Sequence, residues 1–466
     1  MRIIVFIVLL SSSASVLSQN LVNRNLFGFR MSTSFIFFEL EDTSFTNKVV
    51  GLKPQVLSFP GGLGNFYHLH APGYGLDVED FRKYHKRSKV KTAQTLKKIS
   101  FKKGHDDNYI YDFIEIAKLT KSKVIFNANI ISSTAIEALE IINIFLEHEL
   151  EVVGIELGGE LSNRSYSHFM TIEKYIEISE KYAKQLRKVY KDIPISVVAA
   201  PINRNSKRLD DWNNKLSDTD FYDAIVVHPY AKIVKGKDLD GQMLTVIPEG
   251  VGEKETYSIY KTRAIEYITE SFKKEMSTYN SIFKDKEIWL TEWNLQMSPV
   301  TGNSLLQGIF VSNQLLELAA TSSDRNIMIT TFHNLAGRTL SGAMLMSKDD
   351  KMLINTTYYS MKIVKDLFQD SVFLKDRKVF IDECIQYCFI NREKNELLYY
   401  WVNWSDKAVA VNCDDIRDAD KYELFGDELF IKNNEKEKVH YIKSQEINQE
   451  ITLKPYSVTF IKQSNK

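Results

Sequence analysis

The sequence predicts an α/β fold, a (β/α)₈ TIM barrel with an appended C-terminal antiparallel β-sandwich. Two observations lead to this prediction. Through most of the 466 residues, short apolar runs bounded by turn residues alternate with longer segments of helical periodicity. After about residue 370 the helical segments stop, and short strands of alternating polarity follow one another between polar turns.

Eight apolar runs in the first part of the chain are candidate barrel strands. They are 26–32, 56–59, 123–129, 152–157, 195–200, 224–230, 287–292 and 327–333. Eight strands that alternate with helices are the pattern of a closed barrel. A doubly wound open sheet is the alternative, but no Gly-x-Gly-x-x-Gly motif follows the first strand.

The segments between these strands have the periodicity of amphipathic helices. In 171–190 the apolar side chains recur mostly on one face, and Thr171 stands where a helix cap is expected. The same pattern recurs in 109–119, 135–150 and 305–320. The last helix before the sandwich is expected at 354–368.

Domain boundaries follow from this organisation. Residues 1–18 have one arginine, an apolar core and then small residues, which is typical of a secretory signal peptide cleaved after Ser18. The alternative is a buried N-terminal strand. Residues 19–368 form the predicted barrel and 369–466 the predicted sandwich, which in such folds often gains a strand from residues just after the signal. We expect a secreted or periplasmic protein without an integral membrane segment.

Composition argues against several classes of function. The formal net charge is zero, with 60 Lys and Arg against 60 Asp and Glu, so no overall basic excess favours nucleic acid. No cofactor is expected, and the sequence shows no cluster of metal ligands. Cys384, Cys388 and Cys413 are too few for a disulfide scaffold and are a weak metal signal. We expect core cysteines, with one disulfide as the alternative.

Two carboxylates follow strands whose C-terminal ends form the active-site face of a barrel. Glu160 follows the fourth candidate strand in ELGGEL, and Glu292 ends the seventh in WLTEWN. Facing carboxylates suit glycoside hydrolysis, in which one group protonates the leaving oxygen and the other attacks the anomeric carbon or activates water. Otherwise such a Glu is a helix cap or an ion-pair partner. Glu156 is a rival for the strand-four position, expected to lie deeper and to pair with a cation.

The ELGGE and TEWN segments, with FPGG after the second strand, resemble the clan A glycoside hydrolases. The nearest likeness is to the heparanase and β-glucuronidase-like family, and more loosely to the α-L-arabinofuranosidases and β-xylosidases. The resemblance implies a retaining enzyme with Glu160 as acid/base, Glu292 as nucleophile and a hydrogen bond from Tyr230 to that nucleophile. This chain departs from the clan at Gly159, where an Asn that holds the sugar's 2-hydroxyl is usual, and Asn129 is a candidate substitute.

Further candidate substrate-binding residues stand at the ends of other strands. His228 and Tyr230 follow strand six, and Trp293 and Asn294 follow the seventh strand's glutamate. The others are Gly61, Gly62, Tyr67 and His68 after strand two, Asn129 after strand three and His333 after strand eight. Glycines let the backbone approach a ligand, and aromatic faces stack on sugar rings. A buried, satisfied histidine or an aromatic mini-core is the alternative interpretation.

A basic segment follows the second strand. From Arg82 to Lys103 there are ten Lys or Arg and no Asp or Glu. A basic rim beside the cleft would attract a polyanion. This favours a sulfated or uronate-containing poly- or oligosaccharide as the partner, and no nucleic-acid motif accompanies the segment. The alternatives are a solvated face balanced by acids elsewhere, a neutral glycan such as an arabinoside or xyloside, and a non-catalytic carbohydrate-binding barrel.

Overall fold

The computed structural model describes most of the chain after residue 20. The described ranges are 21–31, 34–62, 64–85, 90–102, 108–202, 206–235, 251–296, 298–337, 342–349, 351–381, 383–412, 416, 419–434, 438–446 and 450–464. The expected signal peptide and Cys413 lie outside the described residues, and cleavage after Ser18 stays a prediction.

Eight parallel strands close into a barrel. They are β1 (Gly28–Arg30), β2 (Val56–Phe59), β3 (Lys123–Ala128), β4 (Val152–Leu157), β5 (Ile195–Val198), β6 (Ala224–Val226), β7 (Glu287–Leu295) and β8 (Ile327–Phe332). Each strand pairs with the next, and β8 pairs with β1, so the ring is complete. Each coincides with one of the eight predicted strands, and the barrel prediction is confirmed.

Large side chains fill the barrel at the N-terminal ends of its strands. Trp289 of β7 packs there with Val56, Ile125, Ala224 and Ile329. Its ring lies over Gly154 of β4, where an added Cβ would approach the indole to 2.3 Å. The opposite, C-terminal end of the barrel is therefore the end at which a site can form.

Helices surround the barrel. Among the described residues these are α1 (Ser34–Phe37), α2 (Thr43–Leu52), α3 (Val78–Tyr84), α4 (Val90–Lys102), α5 (Ile110–Thr120), α6 (Ala135–Glu147), α7 (Ile172–Val189), α8 (Lys207–Ser217), α9 (Glu253–Glu266), α10 (Phe272–Ile282), α11 (Leu305–Thr321) and α12 (Thr356–Val364). A π-helical turn, Tyr267–Ser271, joins α9 to α10. The predicted cap of α7 is confirmed, because the Thr171 hydroxyl accepts a hydrogen bond from the Lys174 amide.

The part of the chain after α12 is antiparallel, as predicted. Its strands are Ser371–Phe373, Val379–Ile381, Cys384–Asn391, Glu396–Asn403, Val409–Asn412, Ala419–Phe425, His440–Glu446, Glu450–Leu453 and Ser457–Ser464. They form a seven-stranded and a two-stranded sheet. Cys384 and Cys388 are free and buried between the two sheets, which agrees with core cysteines. Leu21 forms an antiparallel bridge with Val372, so the N-terminal segment does join the sandwich.

The chain forms a smaller sheet in the segment that connects β8 to α12. Its strands are Ala336–Gly337, Leu345–Lys348 and Lys351–Ile354. Of the helices among the described residues, none is both long enough and apolar enough to cross a membrane.

Candidate active site

The carboxylate of Glu292 lies at the C-terminal end of β7, in contact with one cation and one hydrogen-bond donor. The Nε atom of Arg30, from the end of β1, is 2.9 Å from Glu292 Oε1. The hydroxyl of Tyr230 donates to Glu292 Oε2 at 2.7 Å. The hydrogen bond that the sequence resemblance implied for Tyr230 is therefore present.

An irregularity in β7 brings two consecutive side chains to the barrel mouth. The pairing of β7 with β8 shifts register between Leu290 and Trp293. Consecutive residues of a regular strand point to opposite faces, but here Thr291 contacts Glu156 inside the barrel while Glu292 contacts Arg30 above it. Such local irregularities re-aim side chains near sites.

Arg30 is the buried cation beneath the site. Its Nη1 atom donates to the Thr291 carbonyl at 3.1 Å, and its Nη2 atom donates to the Gly61 carbonyl at 3.3 Å. The same guanidinium lies 3.7 Å from Glu156 Oε2. Glu156 is fully buried, so the expectation that it lies deep and pairs with a cation is confirmed.

Glu160 lies past the end of β4 on a backbone turn. Its φ angle is 51° and that of Gly158 is 76°, so both residues are left-handed. The turn directs the Glu160 side chain toward His228, whose Nδ1 atom is 3.2 Å from Glu160 Oε1. One ligand atom from each of Glu160, His228 and Glu292 lies within 4.8 Å of the other two. The two predicted carboxylates are therefore brought together.

The surroundings give the two carboxyl groups low pKa values. Desolvation raises the pKa of Glu292, but the charge of Arg30, the histidines His228 and His333, and the Tyr230 hydrogen bond together hold it well below its ordinary value. Desolvation likewise raises the pKa of Glu160, and the hydrogen bond and charge of His228 outweigh it and lower that pKa. In the free protein both carboxyl groups are ionised at neutral pH.

Glu160, His228 and Glu292 are close enough together to bind a single cation. Both oxygens of Glu292 already have partners, however: the Arg30 guanidinium and the Tyr230 hydroxyl. A metal bound there would meet the Arg30 charge beside its carboxylate ligand. These partners therefore fit a nucleophile held by an ion pair and a hydrogen bond better than a metal ligand.

Gly159 lies at the point where the resemblance implies an Asn. Its backbone is held on both sides by Asn65, which accepts from the Gly159 amide at 2.7 Å and donates to its carbonyl at 2.6 Å. A Cβ added at Gly159 would lie 3.6 Å from Asn127 Nδ2 and 3.9 Å from Arg30 Nη2, which are ordinary contacts. Asn127, rather than Asn129, is thus the strand-three amide beside Gly159.

Asn129 belongs to a second polar cluster together with Tyr67 and His68. The Asn129 amide donates to the Tyr67 carbonyl at 3.2 Å and lies 3.3 Å from the His68 ring. His68 bridges Asp80 at 2.9 Å and Glu137 at 3.3 Å. The hydrogen bond that His68 donates to Glu137 is the largest cause, and together with Asp80 it outweighs desolvation and raises the pKa of His68 to about 9. These contacts join the loop after β2 to α6 and do not involve Glu160 or Glu292.

Trp293 and Asn294 both make contacts within the protein, and their substrate contacts stay a prediction. Trp293 is 3% exposed and packs edge-on against Phe332, so its ring face is not presented to the cleft. The Asn294 side chain donates to the His333 carbonyl at 2.8 Å and accepts from Gln307 at 3.0 Å. The strand irregularity turns Trp293 toward the helix layer, and sequence spacing alone could not reveal it.

The remaining predicted residues are divided between the floor and the rim of the site. The ring centroid of His333 lies 6.2 Å from that of Tyr230. Desolvation lowers the pKa of His333, and the charge of Glu292 opposes part of this effect. Gly61 has a φ angle of 83° and offers its carbonyl to Arg30, while Gly62 is exposed beside it. Gly61 is therefore a backbone acceptor that holds Arg30 in place.

Sequence reasoning missed Arg30, Asn65 and Thr291. A signal existed for Arg30, because it is a charged residue that ends the apolar run LFGFR, and an isolated charge at the end of a barrel strand indicates a site. Asn65 lies in a 3₁₀ turn within a glycine-rich loop, and its contact with Gly159 spans 94 positions of sequence. No local pattern predicts that contact.

Comparisons with known proteins place the fold. Neither a protein-family model nor a curated protein matches the sequence. Among solved structures, the arabinofuranosidase of family GH51 from Xanthomonas axonopodis pv. citri has a TM-score of 0.66 at 12% identity, over 95% of this chain and 97% of that one. The α-L-arabinofuranosidase of Thermotoga maritima has the same TM-score and coverage at 15% identity. This chain has the fold of these glycoside hydrolases.

The likeness extends to other families of the same clan. The catalytic domain of the GH30 xylanase C from Talaromyces cellulolyticus gives a TM-score of 0.51 at 8% identity, over 95% of this chain and 98% of that one. The clan A resemblance is thus confirmed at the level of the fold, with the arabinofuranosidases well represented among the neighbours. At such identities the chemistry must be argued from this chain's own residues.

Proposed function

We propose that this protein is a retaining glycoside hydrolase with Glu292 as nucleophile and Glu160 as acid/base. The observation that carries the proposal is the proximity of the two carboxylates, with oxygens within 4.8 Å of each other at the ends of β7 and β4. Carboxyl groups about 5–5.5 Å apart serve double displacement, whereas inverting enzymes need about 6.5–9.5 Å to admit a water.

The surroundings of each carboxylate suit its proposed role. Glu292 is held ionised and oriented by Arg30 and Tyr230, as a nucleophile that attacks an anomeric carbon must be. Glu160 is about half exposed, whereas Glu292 is mostly covered. The more exposed carboxyl group can therefore reach the leaving oxygen on the open side of the cleft, donate a proton and later accept one from water.

The test is hydrolysis of a panel of aryl glycosides by the wild type, Glu160→Ala and Glu292→Ala, with product stereochemistry followed by NMR. We expect retention of configuration in the wild type and no turnover by Glu292→Ala. Glu160→Ala should lose about 10²–10⁴-fold on poor leaving groups and regain activity with azide. A wild type that binds sugars but hydrolyses none of them would leave the non-catalytic barrel as the explanation.

We further propose that the substrate is an anionic poly- or oligosaccharide. The support is the basic segment, of which α3 and α4 carry the described part, with Arg82, Lys83, Lys91 and Lys98 exposed. Helix α3 packs beside the loop that carries Glu160, because the ring centroids of Tyr84 and Phe169 are 5.1 Å apart. Phe81 of the same helix packs against Phe66 of the loop after β2, with ring centroids 4.2 Å apart. Sulfate or carboxylate groups of a chain leaving the cleft on this side would meet these cations.

One ion pair supports the opposing interpretation of the basic segment as a solvated face. Arg82 already pairs with Glu79 within α3. The arabinofuranosidase and xylanase neighbours make a neutral pentoside the second candidate substrate. Salt dependence separates the two: kcat/KM on an anionic polysaccharide should fall steeply as ionic strength rises from 0.01 to 0.15 M, since the Debye length shortens from about 30 to about 8 Å. A neutral pentoside as best substrate, with kcat/KM indifferent to salt, would decide for the second candidate.

A further inference from the structure

His228 lies between the two carboxylates and contacts both. Its Nδ1 atom is 3.2 Å from Glu160 Oε1 and 3.8 Å from Glu292 Oε2. Its Nε2 atom is 3.0 Å from the hydroxyl of Thr291, which in turn donates to Glu156 Oε1 at 3.2 Å. A chain of polar contacts therefore runs from Glu160 through the imidazole to the buried Glu156.

The hydrogen-bond partners of His228 favour a proton on both ring nitrogens. Ionised carboxylates only accept hydrogen bonds, so Nδ1 must donate where its neighbours are Glu160 and Glu292. With the Thr291 hydrogen directed to Glu156, Nε2 can donate to the Thr291 oxygen. An imidazolium with Glu160 as its carboxylate counterion satisfies all of these contacts at once.

This arrangement raises a difficulty for the proposed function, on which the inference rests. An acid catalyst must carry a proton when the glycosidic bond breaks, yet Glu160 is ionised in the free protein. The nearest proton is on His228 Nδ1, at hydrogen-bond distance from Glu160. The His228 side chain is 9% exposed and that of Glu160 is 51% exposed, so only Glu160 can contact the leaving oxygen.

We propose that His228 is the proton partner of Glu160, holding in the resting enzyme the proton that Glu160 delivers. In the first step Glu292 bonds to the anomeric carbon, the glycosidic bond breaks, and a proton passes from His228 Nδ1 through Glu160 to the leaving oxygen. His228 is then neutral with its hydrogen on Nε2, and Glu160 is a carboxylate. In the second step water attacks the anomeric carbon, its proton returns through Glu160 to Nδ1, and Glu292 leaves as a carboxylate.

The charges around His228 change in the direction that this cycle needs. The groups that face it are Arg30 from β1, Glu156 from β4, Glu160, Glu292 from β7 and His333 after β8. Two of these groups, Glu160 and Glu292, are carboxylates beside Nδ1 and stabilise the imidazolium. Esterification of Glu292 removes one of the two charges at the stage when the proton has gone, and hydrolysis restores it.

The experiment compares His228→Asn with Tyr230→Phe, a matched control in the same segment that contacts only the nucleophile side. On glycosides with poor leaving groups, kcat/KM of His228→Asn should be about 10²-fold or more below that of the wild type. Dinitrophenyl glycosides and glycosyl fluorides need little protonation of the leaving group, so the loss of kcat/KM on them should be far smaller. The basic limb of the pH profile of kcat/KM should also move to lower pH in His228→Asn. Tyr230→Phe should slow good and poor leaving groups alike.

A second measurement needs no variant. In the wild type trapped as a 2-deoxy-2-fluoroglycosyl ester, nitrogen NMR should show His228 neutral, whereas in the free enzyme it should be doubly protonated. Equal losses on all leaving groups for His228→Asn, or a His228 that stays doubly protonated in the trapped ester, would overturn the proposal. Neither result touches the roles of Glu160 and Glu292, which fail only if their own variants retain turnover.

Discussion

Arg30 Nε lies 2.9 Å from Glu292 Oε1, and the same guanidinium lies 3.7 Å from Glu156 Oε2. One buried cation thus neutralises a carboxylate at the mouth of the barrel and another beneath it. The strand that supplies Arg30 is the first of the barrel and the strand that supplies Glu292 is the seventh, and β8 pairs with both of them. The ion pair therefore depends on pairing between the first strand and the last two.

Replacing Arg30 should damage both stability and the ionisation of Glu292. Arg30→Met leaves two buried carboxylates without their cation, a change that typically costs about 3–5 kcal/mol, measured by urea unfolding. The pKa of Glu292 should rise toward its ordinary value, so the acidic limb of kcat/KM should move to higher pH. Arg30→Lys keeps the charge, so its free energy of unfolding and its acidic limb should lie between those of the wild type and those of Arg30→Met. An unmoved acidic limb in Arg30→Met would show that Arg30 does not set this ionisation.

Tyr230→Phe removes the 2.7 Å hydrogen bond to Glu292 Oε2. A hydrogen bond to a charged group contributes about 1.5–3 kcal/mol, so kcat/KM should fall by about 10- to 100-fold. Because this hydrogen bond lowers the pKa of Glu292, its loss should move the acidic limb upward while leaving the basic limb in place. A shift of the basic limb alone would assign Tyr230 to the acid side of the site instead.

The sequence predicted the parts of this structure that depend on periodicity. Buried parallel strands are apolar runs, amphipathic helices repeat every 3.6 residues, and the eight predicted strands each coincide with one in the barrel. Glu160 and Glu292 could be named because the ends of strands four and seven are fixed by that count. The resemblance then supplied the Tyr230 contact.

The contacts that the sequence did not predict arise where tertiary packing outweighs the local pattern. Trp293 follows Glu292 and was expected to face the sugar, but the β7 irregularity turns it into the helix layer. His68 and Asn129 follow strands whose ends face the cleft, but a pair of carboxylates, one of them on α6, draws His68 into a separate cluster. These side-chain orientations depend on partners that are distant in sequence, and a local sequence pattern carries no information about such partners.

His68 should give a pH-dependent contribution to stability. Its pKa is raised from about 6.5 to about 9 in the folded protein, so the stabilisation is fully present below pH 6.5 and is lost as pH rises through about 9. His68→Gln should lower the free energy of unfolding by about 1–3 kcal/mol at pH 6, and the gap to the wild type should close by pH 10. His70, which is 73% exposed beside Glu140, provides the control His70→Gln with little effect at either pH. A gap that widens above pH 9 would contradict the assignment.

The two glycines before Glu160 should differ in their tolerance of alanine. Gly158 has a φ angle of 76°, and an added Cβ would lie 2.6 Å from Leu161 Cδ1. Gly158→Ala should therefore cost about 1–2 kcal/mol of stability. The Cβ of Gly159→Ala meets nothing closer than 3.6 Å, and this variant should unfold within about 0.5 kcal/mol of the wild type. If urea unfolding gave equal losses, the space beside Gly159 would be less tolerant than its contacts indicate.

The basic segment should act on anionic substrates through charge alone. Replacing Lys83, Lys91 and Lys98 by Gln removes three exposed cations and spares Lys97, which donates to the Leu76 carbonyl. For a sulfated or uronate-containing polysaccharide, kcat/KM should fall by about 10-fold or more at low salt and should approach the wild-type value at high salt. An uncharged aryl glycoside should be hydrolysed at the wild-type rate, because the catalytic carboxylates are untouched.

The matched control is the same change of net charge on the sandwich. Lys394, Lys407 and Lys438 are also exposed, and they lie outside α3 and α4. Their replacement by Gln should leave kcat/KM on the polyanion within about two-fold of the wild type if α3 and α4 attract the substrate. Equal losses in both triple variants would mean that overall charge, and not α3 and α4, attracts the substrate. If neither triple variant loses kcat/KM on the polyanion, the basic segment is a solvated face, and a neutral glycan is favoured as the substrate.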